Sequence, residues 1–267
     1  MKRIDGRHLS LILWIVGFFL MWEFAAFLLD GVLHDPMAAK KLPYFHAVIS
    51  ETVLNADNIL LQSALTALRA AEGFLIGALV GFLLALLMDL FGVVERMALP
   101  YLLASQMIPI LGLAPIIFGL VKDLDMSRVT IAAYMTFFPV SLSLLSGFKS
   151  VDIEQRMLMR SYASSKFLYY RKLALPYSVP FLFNGLKIAA PMAMTASAFV
   201  DTLSTQNGIG SIIIVALYGG GTTGQFWPAV LAASLLGIVS YVLVILAERV
   251  VERFIPRAPK EAAGEAA

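Results

Sequence analysis

The sequence contains no cysteine among its 267 residues, and only 14% of those residues are charged. Without cysteine the chain cannot form a disulfide framework or any thiolate-based metal or redox site. Ordinary soluble domains carry roughly 25% charged residues, whereas 60% of the residues here are hydrophobic. This composition excludes a soluble enzyme or a nucleic-acid-binding protein, and it predicts a protein that resides in a lipid bilayer.

Sequence patterns that support catalysis or metal binding are also missing. The histidines have no metal-ligand spacing; they are His8, His34 and His46. Gly219 and Gly224 have the spacing of P-loop glycines, but Gln225-Phe226 follows where phosphate binding needs Lys and then Ser or Thr. We therefore predict that the chain is not an enzyme and holds no cofactor or metal ion. Any ATP-driven role would require a separate ATPase.

Six continuous apolar runs are each long enough to cross a bilayer, which takes roughly 20 mostly apolar residues in a helix. They lie at 9–30, 70–90, 98–121, 128–149, 180–202 and 226–248. None shows the sustained alternation of outer-membrane strands, and helices satisfy their own backbone groups in lipid. The sequence therefore predicts an all-α membrane protein with six transmembrane helices.

The distribution of Lys and Arg predicts the orientation, because basic residues accumulate on the cytoplasmic side of membrane proteins. Six spans place both termini on one side, and fourteen basic residues fall on that side against four on the other. Both termini are therefore predicted to be cytoplasmic. The first span follows three basic residues, as a signal peptide would. It is too long for a typical signal-peptide core, and we expect an uncleaved anchor.

The cytoplasmic loop 150–179 is the longest on its side and carries more apolar surface than a tether needs. Its apolar and aromatic residues are interleaved with basic ones. The spacing predicts two short helices with a turn near 163–165, ending before Pro176. A cytoplasmic segment with this much apolar surface indicates a protein partner. An amphipathic helix lying on anionic lipid is the alternative.

This loop resembles the cytoplasmic loop of binding-protein-dependent ABC transporter permeases. The family pattern is Glu-Ala-Ala, a three-residue spacer, Gly, then about a dozen residues to Leu-Pro, and Leu175-Pro176 matches its end. Basic and Ser positions of the pattern are matched by Arg160, Ser165, Arg171 and Lys172. The sequence departs from the pattern at Met157-Leu158-Met159, which replaces Glu-Ala-Ala, and at Ala163, which replaces the glycine.

Other stretches resemble the nitrate/sulfonate/taurine-type subfamily of these permeases. The matching stretches are Leu65-Thr66-Ala67-Leu68-Arg69 followed by Gly73-Phe74, then Pro109, Pro115, Phe138-Pro139 and Gly208-Ile209-Gly210. Asn184-Gly185-Leu186-Lys187-Ile188-Ala189 resembles the Gly-Leu-Arg-Ile-Ala with which the next span opens in the permease family as a whole. The resemblance covers about 42–255. It implies a type I ABC importer permease (MetI-like) architecture. The implied divisions are an N-terminal anchor with a periplasmic segment (1–63), a permease core (64–255) and a disordered tail (256–267).

The resemblance also implies partners and a function. A permease of this family sits in the bacterial inner membrane, pairs with a second permease subunit, and binds ATP-binding cassette ATPases. A periplasmic or lipid-anchored binding protein delivers the solute. The implied substrate is a small organic or inorganic anion such as sulfonate, taurine or nitrate, or a thiamine-precursor-like solute. The alternative is an ion-gradient-driven secondary transporter, whose mid-depth carboxylates are not evident. Its candidates Glu23, Glu72 and Asp201 lie toward the outer ends of spans.

Candidate site residues fall into three groups. The expected ATPase-coupling residues are Met157, Arg160, Tyr162, Ala163, Ser164, Phe167, Arg171 and Pro176. The expected lining of the translocation path is Gln106, Pro109, Tyr134, Ser197 and Asp201. The expected helix-packing residues are Gly73, Gly77 and Gly81, which form a tandem small-residue motif for close helix approach within or between subunits.

The polar residues of the spans admit alternatives. Arg69 and Glu72 share a helix face, as a structural ion pair or as a gate. Asp201 could be simply exposed at the interface. Gln106 could be satisfied by a neighbouring helix rather than by a cavity. Pro109 and Pro115 predict a bent third span.

Overall fold

The computed structural model describes residues 6–35, 37–218 and 223–254, and all regular structure in these ranges is helical. The α-helices are α1 (Gly6–Phe27), α2 (Ala38–Lys41), α3 (Phe45–Leu54), α4 (Ala56–Leu90), α5 (Gly92–Ser105), α6 (Ile110–Val121), α7 (Leu124–Lys149), α8 (Ile153–Ser161), α9 (Lys166–Tyr169), α10 (Leu175–Asp201), α11 (Ile209–Tyr218) and α12 (Phe226–Glu252). Two π-helical turns, Leu28–Val32 and Tyr170–Ala174, extend α1 and join α9 to α10. A short 3-10 turn, Thr223–Gln225, precedes α12.

Five helical segments in the described ranges are long and apolar enough to cross a membrane. They are Leu13–Val32, Ala56–Leu90, Leu124–Lys149, Lys166–Asp201 and Phe226–Glu252. The predicted span 98–121 is not one helix. It consists of α5 and α6, which are bent by 100° relative to each other, and the pair counts as a sixth span only if the two are taken together.

The bend between α5 and α6 lies at 106–109. Pro109 has an extended backbone (ψ 129°) and stands immediately before α6. The predicted bend is therefore present at Pro109. Pro115, which was expected to contribute to it, lies inside α6 without ending the helix. Its ring removes one backbone hydrogen bond and leaves the rest of the helix intact.

Helix α4 begins at Ala56, well before the predicted span start at residue 70. The helix contains the predicted span 70–90 and extends N-terminally beyond it. Arg69 and Glu72 lie within the helix and pair with each other on one face at 3.0 Å. The predicted boundary between an N-terminal segment and the core, at residues 63–64, falls inside this helix.

The centre of the bundle is the crossing of α4 with α7. The predicted small-residue motif lies at this crossing, where each of its glycines faces α7. A methyl group added to Gly81 would lie 2.7 Å from the Phe137 carbonyl oxygen, and one added to Gly77 would lie 2.7 Å from the Thr136 Cβ atom. Gly73 is equally close to Ala132. The motif therefore brings two helices of the same chain together, which favours van der Waals packing in lipid.

Helix α10 packs on the other side of α7. A methyl group added to Gly185 would lie 2.8 Å from the Pro139 carbonyl oxygen, and one added to Gly147 would lie 2.8 Å from the Phe181 Cβ atom. The proline inside α7 and the glycine of α10 thus meet at one close contact. Helices α4, α7 and α10 pack most extensively against one another, and they form the core onto which the other helices pack.

Helix α1 lies at the edge of the bundle with most of its apolar side chains exposed, including Trp14 at 79%. Its C-terminal end is held by Trp22, which donates a hydrogen bond to the Pro43 carbonyl (2.9 Å) and packs edge-on against Trp227 of α12. The tail 256–267, predicted to be disordered, and the glycine run 219–221 lie outside the described residues.

Candidate functional site

The loop after α7 contains the two predicted short helices, α8 and α9, joined by a tight turn. Ala163 has a left-handed backbone (φ 48°) at this turn. The Ala163 amide donates to the Arg160 carbonyl (2.9 Å), and the Ser164 amide donates to the Met159 carbonyl (3.1 Å). These two bonds form a Schellman cap, which normally places glycine at the left-handed position.

The loop was expected to end before Pro176, and this boundary was wrong. The chain passes from α9 through the π-helical turn Tyr170–Ala174 into α10, so that Lys166–Asp201 is one continuous helical segment. Pro176 lies in the first turn of α10, where a missing amide hydrogen costs little. The wider π turn lets the chain continue past Pro176 without a break.

An exposed apolar surface covers the tip of the loop. We call it the coupling surface, and it comprises Ile153, Met157, Leu158, Tyr162 and Phe167, whose exposed fractions run from 56% to 76%. Of the other predicted coupling residues, Arg160 and Arg171 are exposed at its margin, whereas Ser164 and Pro176 are half-buried. Contiguous apolar surface outside a span, rimmed by polar residues, is typical of a protein interface.

The base of the loop is tied to the bundle by three side chains that the sequence analysis did not single out for this role. Arg156 donates to the backbone carbonyls of Phe148 (2.5 Å) and Val151 (3.1 Å) at the end of α7. Tyr170 donates to the Asp89 carboxylate at the end of α4 (2.5 Å). The coupling surface is therefore connected by hydrogen bonds to both helices of the central crossing.

At the opposite end of the bundle lies an ion-pair cluster built around Arg128. Its guanidinium is almost fully buried and pairs with Asp201, whose carboxylate is completely buried. The same guanidinium donates to Asp125 (2.7 Å) and to the backbone and side-chain oxygens of Asn207 (2.7 Å each). Arg128 thereby joins α7 to the end of α10 and to the segment before α11.

The Asp201 carboxylate is satisfied by further donors. Thr66 of α4 donates to it at 2.5 Å, and the Gly210 amide donates at 3.3 Å. Gly208 has a left-handed backbone (φ 95°), and an added methyl group there would collide with this carboxylate. A buried charge of this kind is stable only when it is paired and hydrogen-bonded.

Arg69 extends the cluster to the surface. It binds Glu72 through both carboxylate oxygens (3.0 Å) and Asp125 (2.9 Å). Asp125 therefore bridges Arg69 of α4 and Arg128 of α7. The sequence analysis did not single out Arg128, because no local pattern pairs it with Asp201, 73 residues away.

The residues expected to line the translocation path lie in two separate regions of the structure. Ser197 and Asp201 are fully buried inside the chain, where the Ser197 hydroxyl donates to the Thr66 carbonyl (3.3 Å). Gln106, Pro109 and Tyr134 meet instead at the α5–α6 break. Tyr134 donates to the Ser105 carbonyl and holds the last turn of α5 against α7. The Gln106 Nε2 atom is buried and lacks a partner within the described ranges.

A comparison with known protein families identifies the family of this chain. Residues 74–257 match the model of the family described as "binding-protein-dependent transport system inner membrane component". The chain belongs to this family. The match covers most of the chain, including α7, the coupling surface and α10.

Individual relatives agree with the family. The formylaminopyrimidine transport permease protein ThiX of Halalkalibacterium halodurans is 32% identical over 171 residues, covering 63% of this chain and 67% of the relative. The nitrate import permease protein NrtB of Leptolyngbya laminosa is 26% identical over 191 residues, covering 71% and 68%. The putative aliphatic sulfonates transport permease protein SsuC of Bacillus subtilis is 24% identical over 148 residues, covering 55% and 54%.

Solved structures show the same fold. A chain of an amino acid ABC transporter crystallised with histidines superimposes with a TM-score of 0.58 at 18% identity, covering 76% of this chain and 96% of that chain. A chain of the MetNI methionine ABC transporter, in an inward-facing conformation, gives 0.52 at 18% identity, covering 77% and 98%. The predicted MetI-like, type I importer architecture is therefore confirmed. Membership of this permease family, together with the long apolar helices, places the chain in the inner membrane as a multi-pass protein.

Proposed function

We propose that this chain is the membrane-spanning permease subunit of a bacterial ABC importer and that its coupling surface docks on a separate ATPase subunit. One observation carries the proposal. An exposed apolar surface at the tip of the loop is tied by Arg156 and Tyr170 to the ends of α7 and α4. Apolar and aromatic side chains fill pockets on a partner, and the basic residues at the margin orient it.

The geometry suits transmission of movement. When ATP binding closes the ATPase subunits, α8 and α9 are displaced with them, and the bonds at the base of the loop carry the displacement into the central crossing. Two permease subunits then exchange inward-open and outward-open arrangements. ATP shifts this equilibrium only through different affinities of the assembly for the two states.

The orientation is part of the proposal. The excess of basic residues on one side supports a cytoplasmic position for both termini and the coupling surface, with the Arg128–Asp201 cluster at the outer face. The absence of cysteine makes a clean test possible. A membrane-impermeant maleimide is expected to label Gln206→Cys in intact cells and Glu154→Cys only after permeabilisation. The reverse pattern would overturn the orientation.

The five predicted path residues are given two different roles, solute contact and helix packing. Gln106, Pro109 and Tyr134 lie at the α5–α6 break, where the Gln106 side-chain amide has a donor without a partner among the described residues and could bind a polar solute group. Ser197 and Asp201 hold the outer ends of the helices together instead. Gln106→Leu is expected to reduce transport while ATPase binding is retained, and equal transport by this variant would remove Gln106 from the path.

The arrangement of carboxylates argues against a transporter driven by an ion gradient. Such a transporter uses carboxylates that exchange ions at mid-depth. Asp201 is paired with Arg128, Glu72 is paired with Arg69, and Glu23 accepts a hydrogen bond from His46 near the outer loop. These pairings leave the three candidate carboxylates occupied.

The substrate proposed is a small organic or inorganic anion, such as a sulfonate, taurine or nitrate, or a thiamine-precursor-like solute. Support comes from relatives named for formylaminopyrimidine, nitrate and aliphatic sulfonate transport. Uptake by the assembly reconstituted with its binding protein tests the proposal. Taurine, nitrate and formylaminopyrimidine are the first competitors to measure, and competition by none of these classes would contradict it.

A permease of this kind also needs a second permease subunit, and we propose a homodimer of this chain. The division into an N-terminal segment (1–63) and a core (64–255) is likewise a proposal, and the family match over residues 74–257 covers most of the proposed core. Mass measurement of the purified assembly distinguishes two copies of this chain from a pair of different permeases.

A further inference from the structure

A second feature of the cytoplasmic loop lies behind the coupling surface. A cavity of about 280 Å³ opens between the end of α4 and the inner side of α8. It is lined by three basic side chains, Arg156, Arg160 and Lys166, together with Asp89, Tyr169 and Tyr170. Ile153 and Met157 of the coupling surface are not part of its lining. Two of the predicted coupling residues, Arg160 and Ser164, do line it, so the cavity adjoins the proposed ATPase contact and shares Arg160 with it.

The lining of the cavity carries a net positive charge, because three basic side chains face a single carboxylate. None of its three basic side chains has a carboxylate within ion-pair distance in the described part of the chain. The one acidic group of the lining, Asp89, already accepts a hydrogen bond from Tyr170 at 2.5 Å. Arg156 is fixed by two backbone carbonyls, so its position is set before any ligand arrives.

Guanidinium and ammonium groups around a small cavity are suited to a phosphate group, because Arg binds phosphate through paired hydrogen bonds and Lys adds a point charge. We propose that this cavity binds a phosphate oxyanion, with Arg160 and Lys166 as the groups that contact it and Arg156 as the preset base of the site.

The surroundings point to the headgroup of an anionic phospholipid as the source of that phosphate. An exposed apolar stripe runs down α4 through Leu83 and Leu87 to Phe91 and reaches the cavity at Leu90. Two tyrosines line the cavity, and aromatic residues are enriched at the level of lipid headgroups. A lipid could place its acyl chain on the stripe and its phosphate in the cavity. The leaflet concerned rests on the orientation proposed above, whereas the site itself does not.

The test uses the full chain purified in detergent, with bound lipid counted by native mass spectrometry. Phosphatidylglycerol and phosphatidylcholine are the lipid probes, and inorganic phosphate is the soluble probe. The variant is Arg160→Gln combined with Lys166→Gln. The matched control is Arg249→Gln combined with Arg253→Gln, which removes the same charge at the same end of the molecule, outside the cavity.

The proposal predicts that phosphatidylglycerol binds the cavity variant at least about tenfold more weakly than the unchanged chain, since each basic residue near the headgroups contributes to binding. The control should stay within about twofold. Competition by millimolar inorganic phosphate would identify a soluble phosphate as a ligand of the same site, and no competition would identify the lipid.

Equal affinity of the cavity variant and the unchanged chain, for both phosphatidylglycerol and inorganic phosphate, would overturn the proposal. Lys166→Gln alone provides a second variant, with thermal midpoints compared to confirm folding. The Lys166 side chain is exposed, so its replacement should leave the fold intact.

Discussion

Ala163 adopts a left-handed backbone conformation that residues other than glycine disfavour. Its left-handed backbone terminates α8 through two capping bonds, and a residue other than glycine in this conformation costs roughly 1 kcal/mol. The resemblance to permease loops predicted a turn with a glycine position here, and the structure explains that position as a Schellman cap.

Replacing Ala163 with glycine should therefore stabilise the loop, raising the free energy of unfolding by up to about 1 kcal/mol. Amide hydrogen exchange of α8 measures the effect locally. Ala64→Gly is the control, because Ala64 is exposed inside α4 and the same change should destabilise that helix. Faster exchange in α8 of Ala163→Gly would contradict the assignment of strain.

Arg128 and Arg69 both pair with Asp125, so replacing each of them compares a buried with a partly exposed arginine in one cluster. Arg128→Gln leaves the buried Asp201 carboxylate without its partner and should cost about 3–5 kcal/mol. Arg69→Gln, at a position one-third exposed, should cost much less, because solvent screens exposed ion pairs. Thermal midpoints in detergent compare the two. Equal decreases in the thermal midpoint would show that the buried Arg128–Asp201 pair contributes no more to stability than the exposed contacts of Arg69.

Sequence reasoning reached Asp201 but not its role. It recognised an acidic residue at the outer end of a span, and it could not see that Arg128 and Thr66 converge on that carboxylate from two other helices. Contacts over such separations depend on how α4, α7 and α10 cross, which no local pattern encodes. The paired Arg69 and Glu72 were predictable because they lie three residues apart on one helix.

At the scale of elements, the glycines of α4 decide how closely α7 can approach. Gly77→Ala places a methyl group against Ala133 and Thr136 and should separate the helices, lowering the thermal midpoint clearly. Gly119→Ala is the matched control, because an added methyl group there meets nothing within 4 Å. A larger loss for Gly119→Ala than for Gly77→Ala would contradict the packing described.

The helices themselves were largely predictable from apolar runs, and the exceptions have physical reasons. The third span was expected to bend at Pro109, and it does, but the 100° angle between α5 and α6 depends on contacts such as the Tyr134 hydrogen bond to Ser105. The helix past Pro176 was missed because proline usually marks a boundary, whereas here it falls in the first turn of α10 after a π turn.

At the scale of the whole molecule, the coupling surface and the Arg128–Asp201 cluster lie at opposite ends of the same three helices. A displacement of α8 and α9 would therefore reach the cluster through closely packed helices. An acidic residue in the coupling surface should abolish ATP-driven uptake without unfolding the spans, because it places a charge in an apolar contact.

Tyr162→Asp and Phe167→Asp test this expectation, since both side chains are more than 70% exposed and contribute little to the fold. Solute uptake by the reconstituted assembly is expected to fall to background while thermal midpoints stay unchanged. Normal uptake by both variants would remove the coupling role from this loop.

Copurification tests the central claim most directly. The tagged chain, isolated in mild detergent from its native host, is expected to carry an ATPase subunit with measurable ATP hydrolysis. That subunit should be lost in Phe167→Asp and retained in Tyr218→Asp, which changes an equally exposed aromatic residue on α11. A chain that purifies without an ATPase, yet moves solute under an ion gradient in liposomes, would contradict the account.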